Sequence, residues 1–213
     1  MVTLQFRQLD IPPGQRLLIH GLQWSEFEAI MAELGEKRAS RLAYWDGVLE
    51  IRMPLPEHEV DKELIGDLVK ILLEELGMDC ECFGSTTFKR QEMNFGIEPD
   101  ECFYIQHHRQ MQGKRRLNLA IDPPPDLAIE VDVTSQTEAY TRLGVPELWV
   151  YGEAELTIYV LQSGQYQRSE CSAIFPNVPI LAWVPELLNE SLTLGRSQAL
   201  RSFRQKIRLL PLP

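Results

Sequence analysis

Acidic residues with a regular spacing in two apolar stretches are the residues of this sequence best suited to chemistry. Pro99 and Asp100 open one stretch, and the other, DLAIEVD over residues 126–132, follows about thirty positions later. Side chains alternate along a β-strand, so Glu130 and Asp132 are expected on one face. If the two strands are neighbours, Asp100 approaches both carboxylates, and a divalent cation would relieve the repulsion among the three. Ligation by oxygen alone favours Mg²⁺ or Mn²⁺, which can activate a water and bind a phosphate.

The same acids could instead be solvated residues at strand ends. Glu130 and Asp132 argue against that interpretation, because they lie within an apolar run where a solvated acid is not expected. Burying an unpaired charge costs several kcal/mol per ion, so a buried carboxylate indicates a partner. A third interpretation, acid–base catalysis on a sugar by the paired carboxylates, needs no metal. Nothing else in the sequence indicates a carbohydrate cleft.

The pattern of apolar residues around these acids predicts an α/β fold of the α+β type, with helices on the faces of a mixed sheet. Helices are predicted over residues 24–34, 57–76, 137–143, 185–188 and 197–208. The dipeptide Asp46-Gly47 predicts a β-hairpin, because it suits the positive φ angles of a type I′ turn. A second hairpin is expected between residues 79–90 and 98–105, with residues 91–96 as its loop. Further strands are predicted over residues 126–133, 147–151, 155–161 and 165–171.

Length and composition limit the class of protein. A chain of 213 residues fits one domain, which we expect to span residues 1–213 with an N-terminal arm at 1–22 and a basic C-terminal helix and tail at 191–213. The chain is 44% hydrophobic and 24% charged, which excludes disorder and a coiled coil for the whole chain. No transmembrane span or signal peptide is visible, so we expect a cytoplasmic protein with no membrane partner.

Charge is unevenly distributed along the chain. The net charge of −10 argues against a dedicated nucleic-acid binder. The predicted loop between the two acidic strands nevertheless carries Arg109, Lys114, Arg115 and Arg116. This loop could contact a nucleic-acid backbone near the carboxylates. The alternative is a solvated, flexible loop.

The motifs together resemble a known family. Pro99-Asp100 followed by Glu130-x-Asp132 is similar to the signature of the PD-(D/E)XK nuclease superfamily. From about Pro12 onward, the chain more closely resembles the Uma-type family of restriction-endonuclease-like proteins. The matching stretches are RLAYWDGVLEIRMP (41–54), PEHE (56–59), EPDECFYI (98–105), PPPDLAIEVDVTS (123–135) and LGVPELWVY (143–151).

This resemblance implies a restriction-endonuclease-like αβββαβ core, here with extra β-hairpins and a C-terminal helix. It also implies a Mg²⁺-dependent site that hydrolyses phosphodiester bonds of nucleic acid, with DNA favoured, and frequent homodimers. It assigns metal binding to Asp100 and Glu130. The superfamily has a lysine two residues after the glutamate, where this chain has Asp132, which could act as a general base or as a third ligand. Lys89 is the candidate for a displaced lysine, although a solvated strand residue is the favoured interpretation of it.

The second predicted helix offers two weaker candidates. Superfamily members often add an acid from this helix to the metal site, and Glu63 borders its apolar stripe. A solvated helical face is the simpler interpretation of Glu63. His58, at the beginning of the helix, could contact a phosphate or support a metal ligand, or could have no chemical role.

Two functions remain open from the sequence. The first is a metal-dependent endonuclease acting through Asp100, Glu130 and Asp132. The alternative is a dimeric binding or interaction module that keeps the nuclease fold with a decayed site. The missing lysine, the short segment after Ser135 and the net charge of −10 support the alternative.

Overall fold

The computed structural model describes residues 5–35, 38–132 and 137–210, which belong to two compact units. Unit 1 comprises the residues up to Pro56 together with Thr87–Glu98. Unit 2 comprises Glu57–Thr86 together with the residues from Pro99 onward. The expectation of a single domain over residues 1–213 stays a prediction.

The described residues form eleven strands and six α-helices. The strands are β1 (Arg16–His20), β2 (Arg41–Trp45), β3 (Val48–Arg52), β4 (Glu81–Cys82), β5 (Phe88–Arg90), β6 (Phe95–Ile97), β7 (Glu101–Tyr104), β8 (Leu127–Val131), β9 (Glu147–Gly152), β10 (Glu155–Gln162) and β11 (Gln165–Ser169). The α-helices are α1 (Trp24–Leu34), α2 (Pro56–Glu75), α3 (His108–Met111), α4 (Thr137–Leu143), α5 (Ile180–Leu194) and α6 (Arg196–Arg208).

Unit 1 contains a five-stranded antiparallel sheet in the order β1-β3-β2-β6-β5. The predicted turn joins β2 to β3, and Asp46 and Gly47 have φ angles of 45° and 81°. Phe27 of α1 stacks on Tyr44 of β2, with ring centroids 4.6 Å apart. Gly96 of β6 lies so close to Phe27 that a Cβ atom there would be 2.9 Å from the ring. Packing against α1 therefore requires a glycine at this position.

Glu98, the acid that precedes Pro99, belongs to the framework of unit 1. Its side chain is 5% exposed and pairs with the Arg38 guanidinium. It also accepts the Leu42 N–H at 3.1 Å and the Thr87 hydroxyl at 2.5 Å. Removing one partner of a buried carboxylate strongly destabilises the fold, because a buried charge is then left uncompensated. Glu98 therefore stabilises the fold of unit 1.

Unit 2 contains the αβββαβ order that the resemblance implies. Helix α2 is followed by β4, β7 and β8, then by α4 and β9. These strands belong to a six-stranded sheet in the order β11-β10-β9-β8-β7-β4. Strands β8 and β9 are parallel and the other neighbours are antiparallel, so the sheet is mixed. The predicted α+β fold class is confirmed, with the β10–β11 hairpin, α5 and α6 added to the core.

The core of unit 2 combines alternate residues of the sheet with apolar residues of α2, α5 and α6. In β8 the core residues are Leu127, Ile129 and Val131. Alternation along the strand then places Ala128 and Glu130 on the opposite face. This parity decides which side of the sheet presents the Glu130 carboxylate.

Basic residues of α6 pair with acids of α2. Arg204 and Arg208 contact Glu75 at 2.8 and 2.7 Å, and Arg196 contacts Asp67. Hydrogen bonds from Arg208 and then Arg204 lower the pKa of the Glu75 carboxyl to about 2. The basic residues of α6 therefore help to hold this helix against α2.

Three segments differ from expectation. The hairpin expected between residues 79–90 and 98–105 is two separate pairings, β5 with β6 in unit 1 and β4 with β7 in unit 2. Residues 95–97 form a strand because Phe95 and Ile97 are buried in unit 1. Strand β1, within the expected N-terminal arm, pairs with β3, and the helix expected at residues 185–188 extends over the whole of α5. Within the described ranges, no helix combines the length and the apolar composition needed to cross a bilayer.

Candidate functional site

Asp100 and Glu130 are neighbours at the point where β7 begins and β8 ends. Glu101 pairs with Ile129 in antiparallel register, so the residue before β7 lies beside Glu130. Asp100 donates its N–H to the Ile129 carbonyl at 3.1 Å, and its carboxylate accepts the Val131 N–H at 2.9 Å. Asp100 is 4% exposed and Glu130 is 3% exposed. The structure therefore brings together two of the three predicted carboxylates, both buried.

The Glu130 carboxylate is oriented by α4. The Tyr140 hydroxyl donates a hydrogen bond to Glu130 Oε1, and the tyrosine is itself fully buried. Helix α4 thus contributes to the face of β8 that is opposite the main core. Sequence analysis did not identify Tyr140, because its position on α4 is equally typical of a core residue.

Asp132 follows β8 with a left-handed backbone, at a φ of 82°. Its N–H donates to the Tyr151 carbonyl at 2.7 Å, and its carboxylate lies 3.8 Å from Nδ1 of His58 on α2. Strand β8 has ended at Val131, so the alternation expected for Glu130 and Asp132 does not extend to this residue. The assignment of Asp132 as a third metal ligand and catalytic residue stays a prediction.

A cleft of about 710 Å³ in unit 2 is lined by Asp132 and His58. Burial raises the pKa of the Asp61 carboxyl in this cleft, although His58 partly offsets the effect. Burial, and then the charge of Asp61, raises the pKa of Tyr151. The cleft is strongly acidic, since its lining includes Glu57, Asp61, Asp132, Glu153 and Glu186.

A buried lysine of α2 acts electrostatically on the start of β7. The Lys62 side chain is 9% exposed, and its ammonium lies 2.7 Å from Glu59 Oε2. The Glu101 carboxyl faces α2 at Gly66, where a Cβ atom would be 3.4 Å from Glu101 Cγ. Burial raises the pKa of Glu101, and four neighbouring charges modify it in decreasing order: Lys70 lowers it, Glu63 raises it, Lys62 lowers it and Asp100 raises it.

Sequence analysis did not single out Lys62 or Glu101. The available signal was the position of Lys62 on the helix, three residues before Ile65 and four before Gly66, on the buried face of α2. A glycine inside a helix often marks a close approach of another segment, and here that segment is β7.

The weaker candidates occupy different units. Lys89, on β5 of unit 1, has a side chain that is 42% exposed and pairs with Glu28 at 3.1 Å. Glu63 is exposed on α2 of unit 2, where its charge acts on Glu101. The catalytic roles of Lys89, Glu63 and His58 stay predictions.

The basic segment between β7 and β8 lies at the opposite end of these strands from Asp100. The chain runs from Asp100 along β7 and returns along β8 to Glu130, so the segment joins the far ends of the two strands. Asp126 and Glu130 are four residues apart, which is about 13 Å along an extended strand. The topology thus separates the ends of this segment from the carboxylates, and its contact with nucleic acid stays a prediction.

Within this segment, Lys114 stabilises the local fold. It forms an ion pair with Asp122, which is 6% exposed and accepts the Asn118 N–H at 2.7 Å. Burial would raise the pKa of Asp122, but the hydrogen bonds from Lys114 and Asn118 lower it overall. The other three predicted nucleic-acid contacts are exposed: Arg109, Arg115 and Arg116.

The donor chemistry of the carboxylate pair suits a divalent cation. Among the residues that the structure describes, no three His, Cys, Asp or Glu side chains come together as a metal site. Mg²⁺ commonly takes only one or two carboxylates from a protein, with waters and substrate phosphates as its other ligands. Asp100 and Glu130 fit that requirement.

Comparison with known proteins identifies the family. A crystal structure from Anabaena variabilis ATCC 29413, described as "a putative nuclease belonging to DUF820", is similar at 16% identity and a TM-score of 0.43, over 76% of this chain and 90% of that chain. No curated protein matches the chain significantly. Residues 24–193 match a family model described as "Uma2: Putative restriction endonuclease". Because this match covers most of the sequence, the chain belongs to the Uma2 family of restriction-endonuclease-like proteins.

Proposed function

We propose that this protein is an endonuclease that hydrolyses phosphodiester bonds of nucleic acid, with DNA as the favoured substrate and Mg²⁺ or Mn²⁺ as the cofactor. The observation that carries the proposal is the pair of buried carboxylates, Asp100 and Glu130, at neighbouring strand ends. Two adjacent anions in a buried site repel each other, and a bound cation would offset that repulsion. Membership of the family supports the nuclease class.

The residues of unit 2 would bind and orient the reacting groups. A divalent cation bound there would lower the pKa of a water and offset charge on the phosphate. Asp100 and Glu130 would supply carboxylate oxygens to it. The Val131 N–H fixes the Asp100 carboxylate, and the Tyr140 hydroxyl fixes that of Glu130. Such fixed positions limit the reorganisation needed during the reaction.

Lys62 is buried in unit 2, but it acts from the core face of the sheet, because its charge acts on Glu101, which faces α2 and pairs with Ile129. The Glu130 carboxylate is on the opposite face. Lys89 is in unit 1, where it pairs with Glu28, and its role as the displaced superfamily lysine stays a prediction.

A catalytically decayed interaction module, dimeric as the resemblance implies, is the second candidate function. The position of Asp132 favours it, because this carboxylate lies near His58 and lines the acidic cleft. A site with an acid in place of the lysine would be expected to bind a cation without turnover.

Isothermal titration with Mn²⁺, followed by a plasmid cleavage assay, tests both functions. The parent is compared with an Asp100→Asn, Glu130→Gln double variant and with a control, Glu138→Gln, which changes an exposed acid on α4. We expect the parent and the control to bind Mn²⁺ and to cut DNA, and the double variant to do neither. Thermal unfolding of all three proteins checks that the fold is retained.

The outcomes separate the two candidate functions. Mn²⁺ binding that depends on the carboxylates, without cleavage of DNA or RNA, would support the interaction module. Equal Mn²⁺ binding by the parent and the double variant would exclude Asp100 and Glu130 as the metal site.

A further inference from the structure

His107 is a histidine of unit 2 that the proposed function leaves unused. It lies just before α3, and its Nδ1 atom is 2.7 Å from Asp126 Oδ1. Asp126 is 2% exposed, and its Oδ2 atom accepts the N–H groups of Ile105 at 2.7 Å and of His107 at 3.1 Å. An ionised carboxylate only accepts hydrogen bonds, so Nδ1 carries the proton that is directed at Asp126. The carboxylate therefore fixes both the tautomer and the orientation of the ring.

With Nδ1 used by Asp126, Nε2 is the ring nitrogen through which His107 can bind a ligand. The His107 side chain is 41% exposed, although its Asp126 partner is buried. With Nδ1 bound to Asp126, a neutral ring offers Nε2 as an acceptor, and a protonated ring offers it as a charged donor. A charged N–H group forms strong hydrogen bonds with phosphate oxygens.

The segment between β7 and β8, to which His107 belongs, carries an excess of exposed positive charge. Arg109, Arg115 and Arg116 of the same segment are exposed, whereas Lys114 is neutralised by Asp122. The other titratable or charged groups on the neighbouring elements are Tyr104 at the end of β7, Asp126 before β8 and Asp122 in the segment, together with His108 and its partner Asp79. Strand β4 and the residue before it add Glu81, Cys82 and Cys80, and β9 adds the buried Glu147 opposite Leu127. A polyanion is thus the class of ligand that fits this end of the sheet.

We propose that protonated His107, oriented by Asp126, binds a backbone phosphate of the nucleic acid, at a point about 13 Å along β8 from Glu130. The inference rests on the proposed function in one respect, that the polyanion is a nucleic acid. It adds a proton-linked contact that is remote from the carboxylate pair. Binding at this contact contributes to affinity and has no part in the chemical step.

Fluorescence anisotropy with a labelled 20-base-pair DNA duplex, and with RNA of the same sequence, tests the proposal. Binding is measured in EDTA at pH 6 and pH 8, for the parent, His107→Gln, His107→Lys and His108→Gln. His108 is the matched control, because its Nδ1 is 2.7 Å from the Ile105 carbonyl and its Nε2 is 3.6 Å from Asp79.

We expect the parent to bind tighter at pH 6 than at pH 8 by about tenfold or more, as for one hydrogen bond to a charged group. His107→Gln should remove most of this difference, His107→Lys should bind equally at both pH values, and His108→Gln should behave as the parent. At pH 6, His107→Gln should also reduce the magnitude of the slope of log K against log salt by about 0.9 for duplex DNA. Comparison of DNA with RNA identifies the source of the phosphate.

The same pH dependence in the parent and in His107→Gln would overturn the proposal, and so would an absence of binding by the parent. The proposed function can be disproved independently of the phosphate contact. If binding depends on His107 but Glu130→Gln cuts as fast as the parent, the catalytic assignment is wrong and the phosphate contact stands. If cleavage requires Glu130 but His107→Gln binds as the parent does, the phosphate contact alone is wrong.

Discussion

Buried carboxylates in this protein serve different purposes, and the groups that donate to them distinguish these purposes. Glu147, in the stretch LGVPELWVY, accepts Trp149 Nε1 at 2.6 Å and the Ala173 N–H at 2.7 Å. Glu98 is likewise held by several donors of unit 1. Both acids lie in stretches that resemble the family, and in this structure they hold loops and strands together. A family motif alone therefore does not identify a catalytic acid, whereas adjacency of Asp100 and Glu130 at paired strand ends is a more specific indication.

Tyr140→Phe tests whether the tyrosine hydroxyl orients Glu130, the proposed metal ligand. Removing it leaves a buried carboxylate without that donor, which should lower the free energy of unfolding by about 1–3 kcal/mol. Mn²⁺ affinity should fall by about tenfold or more, as for other groups that support a metal ligand. Calorimetric titration and denaturant unfolding measure the two effects.

The matched control is Tyr166→Phe, which removes a hydroxyl that donates to the Val145 carbonyl at 2.8 Å. This variant should lose stability without losing Mn²⁺ affinity. An equal loss of affinity in both variants would contradict a specific role for Tyr140.

At the scale of elements, the two ends of α2 have different surroundings. His58 and Lys62 lie towards its beginning, near the acidic cleft and Glu101 respectively. Glu75, its last residue, pairs with Arg204 and Arg208 of α6. The acid-rich composition of this helix therefore has two separate causes.

The pairing of Glu75 predicts a pH-dependent contribution to stability. The pKa of Glu75 in the folded protein is about 2, below the ordinary value of 4.5, so the contribution is present above pH 4.5 and is lost as the pH falls from about 4.5 to 2. Glu75→Gln should lower the thermal midpoint at pH 6 and have no effect at pH 2. Because the pair is at the surface, 0.5 M salt should reduce the difference at pH 6.

Thermal unfolding of the parent, Glu75→Gln and a control, Glu155→Gln, measures this effect. Glu155 is an exposed acid at the start of β10. A difference between the parent and Glu75→Gln that persists unchanged at pH 2 would show that the ion pair is not its cause.

Gly96→Ala tests the packing of β6 against α1 in unit 1. The added Cβ atom would be 2.9 Å from the Phe27 ring, so the ring or the strand must shift. Overpacking of this kind costs about 1–3 kcal/mol. Gly66→Ala is the contrasting variant, because its Cβ atom would make an ordinary contact at 3.4 Å and alanine favours a helix. Chemical denaturation should show a loss for Gly96→Ala only, and equal stability of that variant and the parent would contradict the packing.

For the whole molecule, net charge and local charge have opposite consequences for nucleic-acid binding. The net charge of −10 opposes approach to a polyanion, so we expect nucleic-acid binding to depend on the exposed arginines of the segment between β7 and β8. Three arginine–phosphate contacts predict a slope of log K against log salt of about −2.7 for duplex DNA at pH 8. Arg115→Ala and Arg116→Ala together should reduce the magnitude of that slope by about 1.8. A slope near zero in the parent would exclude this segment as the contact surface.

The homodimer and the cytoplasmic location are expectations that follow from the resemblance and from the sequence. Sedimentation equilibrium tests the first, since a chain of 24.5 kDa should sediment at twice that mass. A single species at the mass of one chain would exclude the dimer under the conditions used.

The sequence by itself determined many of the elements and the family, because these depend on local patterns. The spacing of apolar residues predicted α1 and α2, Asp46-Gly47 predicted the turn between β2 and β3, and the order of motifs identified the family. The apolar run around Glu130 also anticipated that this residue is buried.

Only the tertiary structure decided which of these residues meet. The pairing of β7 with β8 brought Asp100 beside Glu130 and put the basic segment at the far end of both strands. The left-handed backbone of Asp132 ended the alternation that had predicted its direction. Electrostatic interactions across long sequence separations, such as that between Lys62 and Glu101, leave no periodic pattern in the sequence. The sequence alone therefore could not reveal them.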